Sequence, residues 1–416
     1  MRYDRNSLTV YRPEGTVVEE LFFRSDREHT SEQYGALLQY ALQRGVRGNV
    51  WQCYVAEWLA KNENAFSLGC ERRDPAPYLR QAVQSDMRTI WELYHADLGE
   101  LDGWTRPMAD TIAHAACDPA PDRASKLILQ LRDALSAAPN CDAFTDALQT
   151  FYKRYGVGVC GLYVAFRIEK PRPDAPVQLC PIYDPDVTTF DHIVGYEFQK
   201  QQVSQNTLAF LAGRPSNNVL LYGDGGTGKS TTIKALLGEY ADDGLRIVEV
   251  YKHQFNLINE IVQMLRKRNQ RFVLYFDDLS FEEFETEYKY FKALIDGGLE
   301  CRPQNVRIYA TSNRRHLIRE TFRDKNDMEF QDDLHRSDTL QEKLSLAARF
   351  GLSLFYPSPT QQEYLHIVHT LAQRYNVDLD AAELERQALQ WQMRNSGKSG
   401  RTAQQFIDSL LGKPQE

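Results

Sequence analysis

A glycine-rich loop near the middle of the chain has residue types and spacing that suit phosphate binding. The run from Gly223 to Ser230 matches G-x-x-x-x-G-K-S/T, follows the apolar run NVLLY and precedes the helical pattern STTIKALLGEY. Glycines permit backbone angles that turn successive N–H groups toward a phosphate at the helix N-terminus. Lys229 should reach the β and γ phosphates, and Ser230 should offer its hydroxyl to Mg²⁺. The predicted nucleotide-binding residues are Gly223, Asp224, Gly225, Gly226, Thr227, Gly228, Lys229, Ser230 and Thr231.

Two later apolar runs end in polar residues that suit the same chemistry. Asp277 and Asp278 follow the run RFVLYF, and Asn313 follows the run VRIYATS. The carboxyl ends of parallel strands lie at one edge of a sheet, so these groups should meet beside the phosphate loop. We predict that Asp277 and Ser230 hold Mg²⁺, and that Asp278 aligns a water for attack on the γ-phosphate. The Asn313 amide should contact that water and sense the terminal phosphate.

These residues require a parallel sheet, and the surrounding patterns predict one between two helical regions. Short apolar runs are separated by helix-length stretches, as expected for parallel strands that are covered on both faces: NVLLYG, RIVEV, FVLYFDD, VRIYATSN and LSLFY. Upstream, helical periodicity dominates the chain, most clearly in the apolar stripe from Trp51 to Leu59. The fold class is therefore α/β with a helical N-terminal domain.

Prolines mark the predicted domain boundaries. The segment EKPRPDAPVQLCPIYDPD carries five prolines, which excludes a helix and indicates a linker. Helical patterns alone return after Pro357 and Pro359. We predict four parts: a mainly helical N-terminal domain at 1–168, a linker at 169–187, an α/β nucleotide-binding domain at 188–356 and a small helical lid at 357–416.

The composition limits the classes of protein. The formal net charge is -8 and the pI is about 5.7, which opposes adhesion to nucleic acid or anionic membrane by net field. The seven cysteines are scattered without a CxxC pair, which predicts neither a disulfide framework nor a zinc site. The N-terminus has no apolar signal region, and no apolar run approaches about 18 residues. We expect a cytoplasmic protein with no membrane partner.

Several motifs in succession resemble those of the AAA+ ATPases. These are the phosphate loop, FDDLSFE, the stretch VRIYATSNRRHL, EKLSLAARFGL and SGRTAQQF. More narrowly, the chain resembles a bacterial family catalogued as domain of unknown function eight hundred and fifteen, over most of residues 150–416. The resemblance implies a parallel-sheet P-loop core in which Asp277 and Asp278 form the Walker B pair and Asn313 is sensor 1.

The same resemblance assigns roles to residues that the spacing alone leaves open. It implies that Arg349 in AARF is an arginine finger and that Arg401 in SGRTA is sensor 2. It also implies that Ile193 and Val194 lie against adenine. One departure is the Asp-Asp pair, since many AAA+ ATPases have Asp-Glu there, and the shorter Asp278 disfavours fast hydrolysis.

These expectations describe an ATPase that cleaves ATP with Mg²⁺ and drives a conformational change in an unidentified macromolecular partner. A finger that acts in trans predicts a homo-oligomer, or a hetero-partner that completes the site. Four other arginines are alternatives for contact with phosphate or a neighbouring subunit: Arg302, Arg314, Arg315 and Arg319.

Three alternative functions remain open from the sequence. The first is a binding module that holds ATP with negligible turnover and recruits a partner by occupancy, which the short Asp278 favours. The second is a small-molecule kinase, which Asn313 and the helical lid disfavour. The third is a nucleic-acid remodeller such as a helicase loader, for which the basic segment MLRKRNQR is a candidate contact.

Overall fold

A computed structural model describes most of the chain, and it divides the chain into two units. One unit comprises residues 1–164, 181–184 and 268–270, and the other comprises the remainder. Among the residues that the structure describes, whose ranges follow, no helix is long and apolar enough to cross a membrane. The described residues are 7–23, 30–72, 74–118, 122–172, 174–279, 291, 295, 303–313, 349–395 and 397–412.

The first unit is helical, as the sequence predicts. Side-chain oxygens cap several of its helices, including Asn49 before the third helix and Asn140 before the ninth. Two short strands, β1 (Arg47–Gly48) and β2 (Ala115–Ala116), pair in an antiparallel manner. The helices are α1 (Val17–Phe22), α2 (Thr30–Arg44), α3 (Val50–Lys61), α4 (Ala65–Arg72), α5 (Pro77–Ala82), α6 (Gln84–Tyr94), α7 (Arg106–Ala113), α8 (Arg123–Ser136), α9 (Cys141–Tyr155) and α10 (Gly158–Leu162).

Helix α3 lies at the centre of this unit. The predicted stripe from Trp51 to Leu59 is on α3, but burial extends around most of the helix, since nine of its twelve residues are buried. The buried Glu57 carboxylate is paired with Arg44 at 2.6 Å and Lys61 at 2.5 Å. A helix that is buried on most sides must neutralise any acid that it carries, and these two cations do so.

The second unit contains a seven-stranded sheet with the order β4-β3-β6-β7-β8-β5-β9. The pairings from β3 through to β9 are all parallel, which confirms the predicted α/β class. The strand that leads into the phosphate loop, β5, lies between β8 and β9. The strands are β3 (Ala165–Glu169), β4 (Gln178–Pro181), β5 (Val219–Gly223), β6 (Leu245–Glu249), β7 (Arg271–Phe276), β8 (Val306–Ser312) and β9 (Leu352–Tyr356).

The proline-rich segment, which the sequence predicts to be a linker, contributes to the sheet. Strand β3 joins the sheet of the second unit, so the units divide after Val164 rather than at residue 168. Strand β4 lies within the predicted linker and forms the outer strand of the sheet. An outer strand tolerates a terminal proline such as Pro181, because proline lacks the N–H that an inner strand would need.

The remaining helices of the second unit flank the phosphate loop or form a separate helical cluster at the C-terminal end. The last three helices share a core of their own, which includes Tyr364, Val368, Phe406 and Ile407. This cluster corresponds to the predicted lid. The helices are α11 (Glu197–Leu211), α12 (Lys229–Tyr240), α13 (Ile258–Leu265), α14 (Gln361–Arg374), α15 (Ala381–Arg394) and α16 (Gly400–Leu411).

The basic segment MLRKRNQR, the candidate contact for nucleic acid, does not present all of its cations at the surface. Residues 268–270 belong to the helical unit, where the Arg268 side chain is 8% exposed. Its guanidinium pairs with Glu63 at 2.8 Å and with Glu71 at 3.2 Å. Arg271 starts β7 and lies over an aromatic ring. Two of the four cations in this segment, Arg268 and Arg271, are therefore engaged within the fold, which weakens the nucleic-acid alternative.

Candidate nucleotide site

The predicted phosphate loop connects β5 to α12, as the motif requires. Gly223 ends β5 with φ of +140°, and a Cβ added there would lie 2.1 Å from the Tyr356 carbonyl oxygen of β9. Gly228 precedes α12 with φ of +92°, which is the left-handed region. Side chains at these two positions would displace β9 or strain the turn into the helix. The backbone N–H groups at the start of α12 therefore face the loop opening.

The Lys229 ammonium is held by the loop itself. It donates to the carbonyl oxygens of Gly223 at 3.0 Å and Asp224 at 2.6 Å, and to Asn313 Oδ1 at 3.1 Å. Burial lowers the pKa of Lys229 from its ordinary value, and nearby carboxylates oppose that shift. The positive charge of Arg401 lowers the pKa further, so two cations face the same space.

Ser230 and Asp277, the predicted metal-binding pair, are hydrogen-bonded to each other. The Ser230 hydroxyl donates to Asp277 Oδ1 at 2.8 Å, and the Thr311 hydroxyl donates to the same oxygen at 2.6 Å. Burial alone would raise the pKa of Asp277, but these hydrogen bonds outweigh burial and hold the pKa below its ordinary value. Asp277 is therefore a carboxylate anion at neutral pH.

Asp278 and the predicted sensor Asn313 also meet. Asp278 has a left-handed backbone with φ of +48°, and its N–H donates to the Thr311 hydroxyl at 2.9 Å. Its carboxylate accepts a hydrogen bond from the Asn313 amide at 2.8 Å. Since Asn313 also accepts from Lys229, one hydrogen-bonded chain connects the phosphate-loop cation to the second carboxylate.

The Asp224 side chain turns away from the predicted nucleotide site. Its Oδ2 accepts from the Ser358 N–H at 3.0 Å and the Ser358 hydroxyl at 2.7 Å. These bonds, with the hydroxyl first, lower the pKa of Asp224. Ser358 lies between β9 and α14, so Asp224 attaches the phosphate loop to the segment that leads into the lid.

The lid helix α16 begins directly against the phosphate loop. The Arg401 N–H donates to the Gly226 carbonyl oxygen at 3.2 Å. Gly226 has φ of +76°, and an added Cβ there would lie 2.8 Å from the Ser399 hydroxyl oxygen. Ser399 caps α16 by accepting from the Thr402 N–H. The glycine at 226 therefore allows the lid to approach the loop, and Arg401 lines the same cavity as the loop residues.

One cavity of about 680 Å³ collects most of the predicted residues. Ile193 and Val194 line it together with the lid residues Ile367 and Leu371, and these apolar side chains suit a flat ring. Gly223 and Asp224 do not line this cavity. The lining residues are His192, Ile193, Val194, Tyr196, Gly225, Gly226, Thr227, Gly228, Lys229, Ser230, Thr231, Asp277, Asp278, Thr311, Asn313, Ile367, Leu371, Arg374, Tyr375, Gly400, Arg401, Gln404 and Gln405.

The structure does not bring Arg349 to the phosphate loop of its own chain. Arg349 lies shortly before β9, beside another cavity, which Asn217, Asn218 and Val306 also line. These residues lie at the amino ends of the strands, whereas the phosphate loop lies at their carboxyl ends. The action of Arg349 in another subunit stays a prediction. The alternatives Arg302, Arg314, Arg315 and Arg319 lie outside the described residues.

Sequence reasoning missed several residues that complete the site. Arg374 lines the cavity and donates to the Asp191 carbonyl oxygen at 2.6 Å, which links the lid to the segment before Ile193. Ser399 was identifiable as a helix cap, because a serine precedes the helical pattern TAQQFIDSLL. Its position against the phosphate loop, like that of Ser358, depends on tertiary contacts and has no local signal.

The strand order, with β5 between β8 and β9, and the phosphate loop after β5 identify the second unit as a P-loop core of the AAA+ type with a helical lid. The class of protein is thus shown by the fold. The chain belongs to the family described as "Protein of unknown function (DUF815)", which matches residues 162–414.

Solved structures are similar to this chain at low sequence identity. The Thermotoga maritima RuvB Holliday junction branch migration motor is 16% identical, and the match covers 53% of this chain and 71% of the RuvB chain with a TM-score of 0.32. The FIGL-1 AAA domain in complex with ADP is 17% identical, with coverages of 55% and 75% and a TM-score of 0.36. The replication initiator DnaA bound to AMPPCP and single-stranded DNA is 17% identical, with coverages of 54% and 65% and a TM-score of 0.37. No curated protein matches the sequence significantly.

Proposed function

We propose that this protein is an ATPase that binds ATP with Mg²⁺ and hydrolyses it to drive a conformational change in a macromolecular partner. The observation that carries the proposal is the cavity in which Lys229, the Ser230–Asp277 pair and the Asp278–Asn313 pair meet beside the lid. A phosphate-binding cation, an oxygen pair for a divalent ion and a carboxylate at the strand edge are the groups that γ-phosphate cleavage needs.

The electrostatics of the cavity favour a polyanion. Lys229 and Arg401 both line the cavity, and the charge of Arg401 contributes to the lowered pKa of Lys229. A triphosphate placed between them would relieve that repulsion and accept hydrogen bonds from the N–H groups at the start of α12. The apolar lining residues, including Ile193, suit the adenine ring.

The residues present also fit Mg²⁺. Mg²⁺ prefers oxygen ligands and is usually held by one or two carboxylates together with substrate phosphates. Ser230 and Asp277 supply a hydroxyl and an ionised carboxylate in contact with each other. Within the described ranges, no cluster of three or more His, Cys, Asp or Glu residues forms a dedicated metal cage. When bound, the ion would neutralise negative charge that develops on the phosphate oxygens.

The hydrolytic step depends on Asp278 and Asn313. We expect Asp278 to orient the attacking water and to accept its proton, while Asn313 contacts the γ-phosphate. The Asn313 amide bonds to Asp278 Oδ1, and a carboxylate has a second oxygen that can accept a hydrogen bond from the water. Arg401 would transmit the presence of the γ-phosphate to the lid, and Arg349 of a neighbouring subunit would complete the site.

The test of this proposal is ATP binding and phosphate release by the full chain. Lys229→Ala should weaken ATP affinity about 100-fold, because a charge-assisted hydrogen bond contributes about 1.5–3 kcal/mol and two cations share the anion. Lys234→Ala is the matched control, since Lys234 is on the same helix but pairs with Asp186. Isothermal titration calorimetry with Mg²⁺ measures both. An unchanged affinity in the Lys229 variant refutes the assignment of the cavity.

A second candidate is a nucleotide-gated binding module with negligible turnover. It is favoured by Asp278, whose side chain is short and already bonded to Asn313. For the ATPase, Asp278→Asn should abolish phosphate release and Asp278→Glu should retain or increase it. A binding module should release almost no phosphate in the wild type or in either variant, while it still binds ATP.

A further inference from the structure

The segment 190–196 touches both the phosphate loop and the lid, yet it belongs to neither a strand nor an α-helix. It begins with one turn of 3-10 helix, Phe190–His192. After the turn, Ile193 lies against the phosphate loop, since a Cβ added at Gly228 would be 3.6 Å from Ile193 Cγ2. Val194 packs against the helical core of the lid. The apolar side chains that should contact the base are therefore carried by a short irregular segment, whose position other contacts must fix.

Two cations hold carbonyl oxygens of this segment. The Lys200 ammonium donates to the Ile193 carbonyl oxygen at 2.9 Å, and the Arg374 guanidinium donates to the Asp191 carbonyl oxygen at 2.6 Å. Hydrogen bonds from charged donors are about twice as strong as neutral ones. Lys200 lies in α11, directly after the segment, whereas Arg374 is the last residue of α14 in the lid, 183 positions from Asp191. Through Arg374, the lid thus holds the turn that precedes Ile193.

The place of Arg374 at a helix end does not explain this contact. A cation there is favoured by the helix dipole and can bond the last carbonyl groups of its own helix. The Arg374 guanidinium instead bonds a carbonyl oxygen outside the lid, and Arg374 lines the cavity. The turn that it holds is closed by the N–H groups of His192 and Ile193, which donate to the Thr189 and Phe190 carbonyl oxygens at 3.1 Å and 3.0 Å. A displacement of this turn would therefore move Ile193.

We propose that Arg374 is a positioning residue for the nucleoside part of ATP, which acts by holding the turn at Asp191 so that Ile193 and Val194 form one face of the base pocket. The inference rests on the proposed function, because it requires the cavity to bind ATP. The phosphates are held separately, by Lys229 and by the N–H groups at the start of α12. Arg374 therefore contributes to the binding of a nucleotide and not to the binding of a bare polyphosphate.

The experiment compares Arg374→Ala with Arg386→Ala in the full chain. Arg386 is the matched control, because it is an exposed arginine of the lid that pairs with Glu383 at 2.5 Å and does not line the cavity. Titration calorimetry in one Mg²⁺ buffer measures the affinities for ATP and for inorganic tripolyphosphate. Hydrogen exchange without ligand measures the protection of the His192 and Ile193 amides.

Arg374→Ala should weaken ATP binding about tenfold, which is the effect expected when one hydrogen bond from a charged group is lost. Its affinity for tripolyphosphate should stay within about twofold of wild type, because the phosphate loop is unchanged. Exchange at His192 and Ile193 should be faster, since the turn loses its contact with the lid. Arg386→Ala should match wild type in all three measurements.

Three results would overturn the inference. The first is an ATP affinity that is unchanged in Arg374→Ala, and the second is an equal loss of affinity for ATP and tripolyphosphate, which would assign Arg374 a general structural role. The third is weaker ATP binding with unchanged exchange at His192 and Ile193, because Arg374 would then touch the nucleotide rather than hold the turn. In each case, ATP binding that depends on Lys229 leaves the proposed function intact. Absence of ATP binding by the wild type overturns both proposals.

Discussion

The strongest stability prediction concerns Arg268 in the helical unit. Its side chain is 8% exposed and is paired with Glu71, which is 1% exposed, at 3.2 Å. Removing one partner of a buried ion pair typically costs about 3–5 kcal/mol, because the other charge stays buried. Glu71 also accepts from the N–H groups of Val157 and Asn269, both at 3.0 Å, so we expect Arg268→Ala to cost about 3 kcal/mol.

This loss should appear as a lower melting temperature. In a unit of about 150–250 residues, 1 kcal/mol corresponds to about 2–4 °C, so the expected decrease is about 6–12 °C. Tryptophan fluorescence is the suitable assay, since four of the five tryptophans lie in residues 1–164 and the fifth is Trp391. The fluorescence signal is therefore dominated by the helical unit.

Arg266→Ala is the matched control, because Arg266 is an exposed cation of the same segment. Its melting temperature should stay within about 2 °C of wild type. If Arg268→Ala has the same melting temperature as Arg266→Ala, the buried ion pair does not stabilise the unit and the reasoning is refuted. A test of salt-dependent DNA binding by this segment must leave Arg268 unchanged, because substitution of Arg268 would destabilise the unit and could abolish binding for that reason.

Three further predictions concern the cavity and the lid. Burial lowers the pKa of Lys229, so ATP affinity should begin to fall, as pH rises, at a lower pH than it would with an ordinary lysine. Calorimetry at increasing pH should show this loss of affinity in wild type and not in Lys229→Ala. A wild-type affinity that stays constant up to the ordinary lysine pKa contradicts the prediction. Ser358→Ala removes the hydroxyl hydrogen bond to Asp224, so it should raise the pKa of Asp224 and speed hydrogen exchange at the start of α14. Unchanged exchange would mean that this hydrogen bond does not hold the segment that leads into the lid. If Arg349 acts in the site of a neighbouring subunit, a mixture of the Arg349→Ala and Asp278→Asn variants should recover part of the phosphate release that each variant lacks alone. A mixture that stays inactive would exclude Arg349 as an arginine finger in trans.

The parts of the site that lie close together in the chain could be predicted from the sequence. Gly223 to Ser230 form one loop, and the strand ends at Asp277 and Asn313 follow from the apolar runs before them. Parallel strands carry their carboxyl ends to one edge, so the meeting of these residues follows from the fold class. The structure indeed brings Lys229, Asp277 and Asn313 into one cavity.

The errors arose where a side chain has partners far away in the chain. Arg268 belongs to the segment named as a candidate nucleic-acid contact, because its partners Glu63 and Glu71 are remote in sequence. Asp224 fits the loop motif, yet its carboxylate bonds to Ser358, 134 residues further along. Periodicity and motifs describe neighbours along the chain, and neither reports such contacts.

The sequence by itself determined the α/β class, the phosphate loop and the strand-end carboxylates, because each depends on backbone geometry and side-chain alternation over a few consecutive residues. Only the tertiary structure decided that Ser399 and Arg401 of the lid lie against Gly226, and that the Asp224 carboxylate bonds to Ser358. Those arrangements depend on how separate elements pack, and packing is set by the sum of many distant contacts rather than by local pattern.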